Sequence, residues 1–181
     1  TLSVDGKEVK IREPIDAMML GMGYLPDDRK ADGIIADLSI RENIMLALQA
    51  KRGILHRIPM KEQCELADRY IQMLQVKTVS RETPIKQLSG GNQQKVILGR
   101  WLATEPRFLI LDEPTRGIDV GTKTEIQKLV LELAAQGMAV IFISSEIEEM
   151  LRTCTIQEIP RHGAKVAELT GPMTQQPVMR A

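Results

Sequence analysis

Two apolar runs limit most strongly how this chain can fold. "RFLILDEP" (107–114) and "MAVIFIS" (138–144) are short, unbroken and rich in branched side chains. Runs of that length without alternation suit central strands of a parallel sheet, buried on both faces. Between them Ile126, Leu129, Val130 and Leu133 recur at helical spacing, Thr122 to Glu125 reads as a capping box, and Gly137 closes the segment. Strand, helix, strand in this rhythm calls for a right-handed crossover, so the sequence predicts an α/β fold around a parallel sheet.

The rest of the chain fits around that core. Residues 1–12 alternate around "DGK", a hairpin signal, and Pro14 opens a short helix that "GMG" (21–23) stops. "YLP" reads as a short strand feeding a charged loop, "DDRKADG" (27–33). Ser39 to Glu42 forms a capping box, and its helix carries Ile44, Leu46, Ala47 and Leu48. A further helix is expected over about 61–74, another from "LSGG" to about Ala103, and one more at "SEIEEML". We divide the chain into a hairpin and loop region (1–38), a helical lobe (39–104), a sheet core (105–170) and a loose tail (171–181).

Bulk properties remove several function classes. The 181 residues carry 24 basic and 24 acidic side chains, a balance that argues against a nucleic-acid partner. Aromatic content of 3% leaves little for base- or sugar-stacking platforms. The longest apolar run, Met138 to Ile143, is too short to span a bilayer, and no secretion signal opens the chain. Cys64 and Cys154 read as reduced thiols, and His56 and His162 as loop residues, none at metal-ligand spacing. The start "TLSVDGKEVK" reads as a chain entered midway.

Two stretches can carry chemistry. The strand "FLIL" delivers Asp112 and Glu113 to its carboxyl end, where open α/β sheets place ligands. Adjacent carboxylates there allow divided labour, Asp112 holding a magnesium ion and Glu113 polarising a water. A buried strand ending in solvated acids is the plainer alternative. In "LSGGNQQK" (88–95), Ser89 is a candidate N-cap, and Gly90 and Gly91 let backbone N–H groups approach an anion. Asn92, Gln93 and Gln94 add side-chain amides in the first turn. The alternative is a Ser-Gly-Gly turn that only starts a helix.

"LSGGNQQK" followed twenty residues on by "FLILDEPTRGID" resembles the signature motif and Walker B of an ATP-binding cassette (ABC) ATPase. "GNQQK", "TRGIDVG" and "GYLPDDRKADGII" narrow the likeness to the C-terminal cassette of double-cassette ATPases from bacterial simple-sugar importers of the ribose, galactose, xylose and galactofuranose type. The resemblance covers about residues 1–152. It implies a RecA-like parallel sheet with a helical signature subdomain, and ATP with Mg2+ as cofactors. It implies that Ser89, Gly90, Gly91, Asn92 and Gln93 face the γ-phosphate, and that Asp112 stands on the magnesium side. Glu113 would be the general base, Asp119 the D-loop residue reaching across a cassette pair, Asp27 the Q-loop equivalent and Ser145 the switch position.

The sequence also departs from that pattern. No G-x-x-x-x-G-K-[ST] loop occurs within these residues; in the family it lies upstream of the hairpin, so it is expected ahead of Thr1. Serine stands at position 145 where active cassettes carry histidine, and Asp27 where many carry glutamine. After Arg152, "TCTIQEIPRHGAK" replaces the expected strand, with Thr155 and Pro160 out of pattern.

Family cassettes work as head-to-tail pairs, so "LSGGNQQK" is expected to close over ATP held by a partner cassette. A helix start contributes only about 0.3–1 kcal/mol towards an anion, too little to retain a nucleotide alone. Further implied partners are a membrane permease, seated by a coupling helix on the helical lobe near Arg41 and Arg52, and indirectly a periplasmic sugar-binding protein. The implied location is peripheral, on the cytoplasmic side of the inner membrane. A non-catalytic cassette acting only as an interaction partner is the alternative. A soluble cassette working on DNA ends or ribosomes would want coiled-coil or basic extensions that this sequence lacks.

Overall fold

The computed structural model describes residues 2–53, 55–161 and 164–170. His162 and the tail at 171–181 lie outside them. An antiparallel hairpin, β1 (Leu2–Val4) and β2 (Lys7–Val9), turns at Asp5 and Gly6 and leads to the short helix α1 (Pro14–Met19). A three-stranded parallel sheet follows in the order β3 (Met22–Leu25), β4 (Phe108–Asp112), β5 (Ala139–Ile143). Helix α5 (Val120–Ala135) makes the crossover from β4 to β5, as the rhythm of the sequence requires.

The helices α2 (Ile40–Arg52), α3 (Met60–Met73) and α4 (Gly90–Leu102) separate β3 from β4 in sequence. Ile40, Ile44, Ile85, Val96, Ile97 and Leu98 join Leu109, Leu111 and Ile126 in one continuous core, so the lobe and the sheet share their hydrophobic contacts. The Ser39 capping box is formed: Ser39 Oγ accepts from Glu42 N–H, and the Glu42 carboxylate accepts from Ser39 N–H at 2.8 Å.

Asn43, with no exposed surface, organises the charged loop before α2. Its amide donates to the carbonyls of Ile35, Leu38 and Ser39, and its Oδ1 accepts from Ile35 N–H and Arg100 Nη2. Arg100 also donates to the Asn43 and Gly33 carbonyls at 2.7 and 2.5 Å. Burial lowers the Arg100 pKa to about 10, which still leaves the guanidinium charged at neutral pH. The loop "DDRKADG" thus contains a wound turn, Arg29–Gly33, begun by Asp28 accepting from the N–H groups of Lys30 and Ala31.

Three local expectations change. The α5 capping box at Thr122–Glu125 does not exist; the helix begins earlier, at Val120, and Asp119 caps it by accepting from Thr122 N–H at 2.9 Å. Asp119 accepts that N–H from just outside the helix, which leaves Thr122 within the first turn, where it cannot serve as the N-cap. The strands are also not buried on both faces. Gly23, Leu25, Leu109 and Leu111 face the helices and are buried, whereas Tyr24, Ile141 and Ile143 on the opposite face are 45%, 47% and 44% exposed. Lastly, β6 (Ile156–Arg161) and β7 (Ala164–Thr170) pair antiparallel as a separate ribbon, with a register shift between Ile159 and Pro160. Proline lacks the N–H a ladder needs, so the irregularity falls where the sequence carries its odd residue.

Candidate functional site

Helix α4 starts at Gly90 with Ser89 in the N-cap position, but the Ser89 side chain caps no backbone N–H. It accepts instead from Asn92 Nδ2 at 2.9 Å, while Asn92 Oδ1 accepts from Lys77 N–H at 2.8 Å. Gln93 is buried, and its amide donates to the carbonyls of Leu88 and Ile85. The Asn92 and Gln93 side chains, expected to meet a ligand, are therefore spent on holding the turn. What faces outward is the exposed Ser89 and the backbone at the start of a 13-residue helix, with the positive end of its dipole.

Both glycines lie against side chains from other segments. A Cβ on Gly91 would lie 2.5 Å from Thr122 Cγ2, on the first turn of α5. A Cβ on Gly90 would lie 2.6 Å from Nη2 of Arg29. Arg29 Nη1 donates to the Arg116 carbonyl at 3.1 Å, and Arg116 pairs with Asp27 at 2.6 Å. The loop of Asp27, the signature turn and the turn after β4 therefore meet around two arginines. Neither arginine stands out in the sequence; their only signal is membership of the charged loop "DDRKADG" and of "TRGID".

At the carboxyl end of β4, Asp112 Oδ2 accepts from the Tyr24 hydroxyl at 3.1 Å. Burial, and then the neighbouring Asp112 carboxylate, raise the Tyr24 pKa, which keeps that hydroxyl a donor. Glu113 occupies a left-handed backbone conformation at φ +46°, uncommon for a residue with a side chain. Its N–H donates to the Ile143 carbonyl, and its Oε1 accepts from Ser145 N–H at 2.8 Å. Position 145 thus does meet Glu113, through its backbone rather than its side chain. Asp119 is engaged locally: bonds from Thr122, backbone N–H first and hydroxyl second, hold its carboxyl below the usual aspartate range.

Two separate sets of groups could meet a magnesium nucleotide, one at the end of β4 and one at the start of α4. Asp112 at the strand end is a hard oxygen donor that could hold a magnesium ion, and the start of α4 could offer N–H groups to phosphate oxygens. Among the described residues no cluster of His, Cys, Asp or Glu could hold a metal ion by itself. The remaining ligands would be nucleotide oxygens, water and groups beyond these residues.

A groove of about 480 Å³ lies between Met19, Leu48, Leu66, Tyr70 and the charged rim of Lys51 and Arg52. Arg52 on that rim pairs with Glu62 at 2.5 Å. Arg41, expected as a second surface charge, is only 8% exposed and is consumed by Glu82 and Gln63 inside the lobe. Among the described residues no helix is long and apolar enough to cross a membrane.

Comparison with known proteins gives the family and the fold. The chain is 54% identical over 169 residues to the galactofuranose transporter ATP-binding protein of Escherichia coli, covering 93% of this chain and 34% of that protein. It is 50% identical, over the same share of its length, to the fructose import ATP-binding protein of Bifidobacterium longum. It is 42% identical over 98% of its length to the ribose import ATP-binding protein of Geobacillus kaustophilus. The chain spans about a third of the length of these curated relatives. Its fold matches a dimeric ATP-binding cassette in a post-hydrolysis state bound to ADP and Pi, with a TM-score of 0.77, 23% identity, and coverage of 92% of this chain and 71% of that one. A nucleotide-free cassette from an ABC transporter matches with a TM-score of 0.78 at 19% identity, covering 98% of this chain and 72% of that one. The family model described as "ABC transporter" matches residues 1–116, well over half of the sequence, and the chain belongs to that family.

Proposed function

We propose that this chain is the signature-bearing part of one cassette in a carbohydrate importer, coupling ATP binding and hydrolysis to sugar uptake. The observation that carries the reading is the start of α4: a glycine-lined helix end, uncapped by its own Ser89 side chain and beside Arg29, built to meet an anion it cannot retain alone. Ser89, Gly90 and Gly91 would close over the γ-phosphate of ATP seated on a partner cassette. Magnesium, when bound, would neutralise phosphate charge. Asp112 would hold it at this cassette's own nucleotide rather than the partner's, with Tyr24 orienting the carboxylate. Glu113 would accept the proton of the attacking water, aimed by Ser145 N–H, and Asp119 would fix the turn that meets the partner.

The open face of the sheet supports a missing neighbour. Apolar side chains such as Ile141 and Ile143 are rarely left in a row in water. We assign that face to the remainder of the cassette, including the P-loop that holds nucleotide. The division at 38, 104 and 170 into loop region, signature lobe, core and tail is kept as part of this proposal. The groove beside Met19 and Arg52 would seat a permease coupling helix on the cytoplasmic side of the inner membrane, with the periplasmic sugar-binding protein acting through that permease.

The test is Ser89→Arg in the intact protein assembled with its permease. A bulky cation at the exposed N-cap should abolish stimulated ATPase activity while leaving nucleotide binding unchanged. Wild-type turnover in that variant would overturn the reading.

A further inference from the structure

We infer that Glu149 is a positioning residue for the carboxylate of Glu113, an inference that rests on the general-base role proposed above. Glu149, on α6 (Ile147–Thr153), is the one buried carboxylate among the described residues, at 4% exposure. Its Oε2 accepts two hydroxyl donors, Thr115 Oγ1 at 2.5 Å and Ser144 Oγ at 2.9 Å. Its Oε1 lies 3.4 Å from Lys123 Nζ, and Lys123 also pairs with Glu146. The Ser144 hydroxyl, while donating to Glu149, accepts from Glu146 N–H at 3.0 Å.

The sequence positions of these partners carry the argument. Thr115 is two residues beyond Glu113, and Ser144 immediately precedes Ser145. One carboxylate oxygen therefore grips the chain on both sides of the Ser145 N–H to Glu113 contact. That contact is 2.8 Å long and joins two segments otherwise linked at this point by Glu113 N–H to the Ile143 carbonyl. A backbone N–H cannot swing to find its acceptor as a side chain can. Its aim is set by the peptide plane, and the plane here is set by the anchored Ser144. Glu113 sits at a strained φ of +46°, a conformation that persists only where surrounding bonds over-determine it. Thr115 to Glu149 is one such bond. With serine rather than histidine at position 145, the orientation of Glu113 falls to this buried network.

The inference separates from a plain structural role by its kinetics. In the intact, permease-assembled protein, Glu149→Ala should lower kcat for ATP by about 10–100-fold, the scale of a misaimed catalytic group, with KM changed less than about twofold. Glu149→Gln, which keeps an oxygen for both hydroxyls, should recover most of kcat. In a Glu113→Gln background, Glu149→Ala should add no further loss, because both act through one group. If Glu149→Ala does not fold, the milder pair Thr115→Val with Ser144→Ala tests the same bonds and should reproduce the kcat loss. Unchanged kcat in a folded variant, a loss confined to KM, or additive losses with Glu113→Gln would each overturn the inference. If instead Glu113→Gln alone leaves turnover intact, the general-base reading fails, and this inference with it.

Discussion

Gly91 of the signature turn lies directly against Thr122 of α5, where any Cβ would come within 2.5 Å of the threonine methyl. Thr122 cannot yield freely, since its hydroxyl and N–H both bond the Asp119 carboxylate. Gly91→Ala should destabilise the protein by about 1–3 kcal/mol through overpacking. Thr122→Ala in the same chain should restore much of that loss, because it removes the methyl and hydroxyl that collide. Chemical denaturation of the two variants checks this, with non-additivity as the expected sign.

Gly90 should behave differently. Its obstacle is the far end of the Arg29 side chain, not a fixed neighbour. Gly90→Ala is expected to leave the melting temperature nearly unchanged while displacing Arg29 from the Arg116 carbonyl. The functional cost should then appear as reduced ATPase stimulation in the assembled protein, measured beside an unaltered thermal transition.

Asn43 connects the loop before α2 to α4. Asn43→Ala leaves one donor of the buried Arg100 without its partner, which costs about 1–3 kcal/mol, and also removes the acceptor of the Ile35 N–H. We expect this variant to be among the least stable single substitutions in the lobe, and urea unfolding measures it.

The Ser39 capping box predicts a pH signature. Bonds from Ser39, backbone N–H first, hold the Glu42 carboxyl below the usual glutamate range. A folded pKa below the unfolded one means the stabilisation is present above the unfolded value and lost as pH falls through the folded value. Ser39→Ala should cost about 0.5–2 kcal/mol near neutrality. The gap between wild type and Glu42→Gln should close as pH drops below the ordinary glutamate range, read from denaturation midpoints across pH.

The Asp27 to Arg116 ion pair is exposed, and such pairs add little to stability. Asp27→Asn should therefore move the melting temperature by less than about 2 °C. Any large effect on sugar-stimulated ATPase activity would then report a role in coupling rather than in folding.

Much of this could be read from sequence because it is local. The signature and Walker B wording, the strand-helix-strand rhythm of 107–144 and the Ser39 box all depend on residues within a few positions of one another. The α5 start departs from its local signal: Thr122 and Glu125 match a capping box, yet Asp119 is the better-placed acceptor. What the sequence by itself determined was the family, the order of the elements and the identity of the acids at the end of β4. Only the tertiary structure decided which face of the sheet these helices cover, because burial depends on which side they pack. Only it decided that Gln93 and Arg41 turn inward, and that Arg29 meets Gly90. The bonds converging on Glu149 from Thr115 and Ser144, like the Gly91 to Thr122 contact, join separate segments of chain, and no periodicity in the sequence records them.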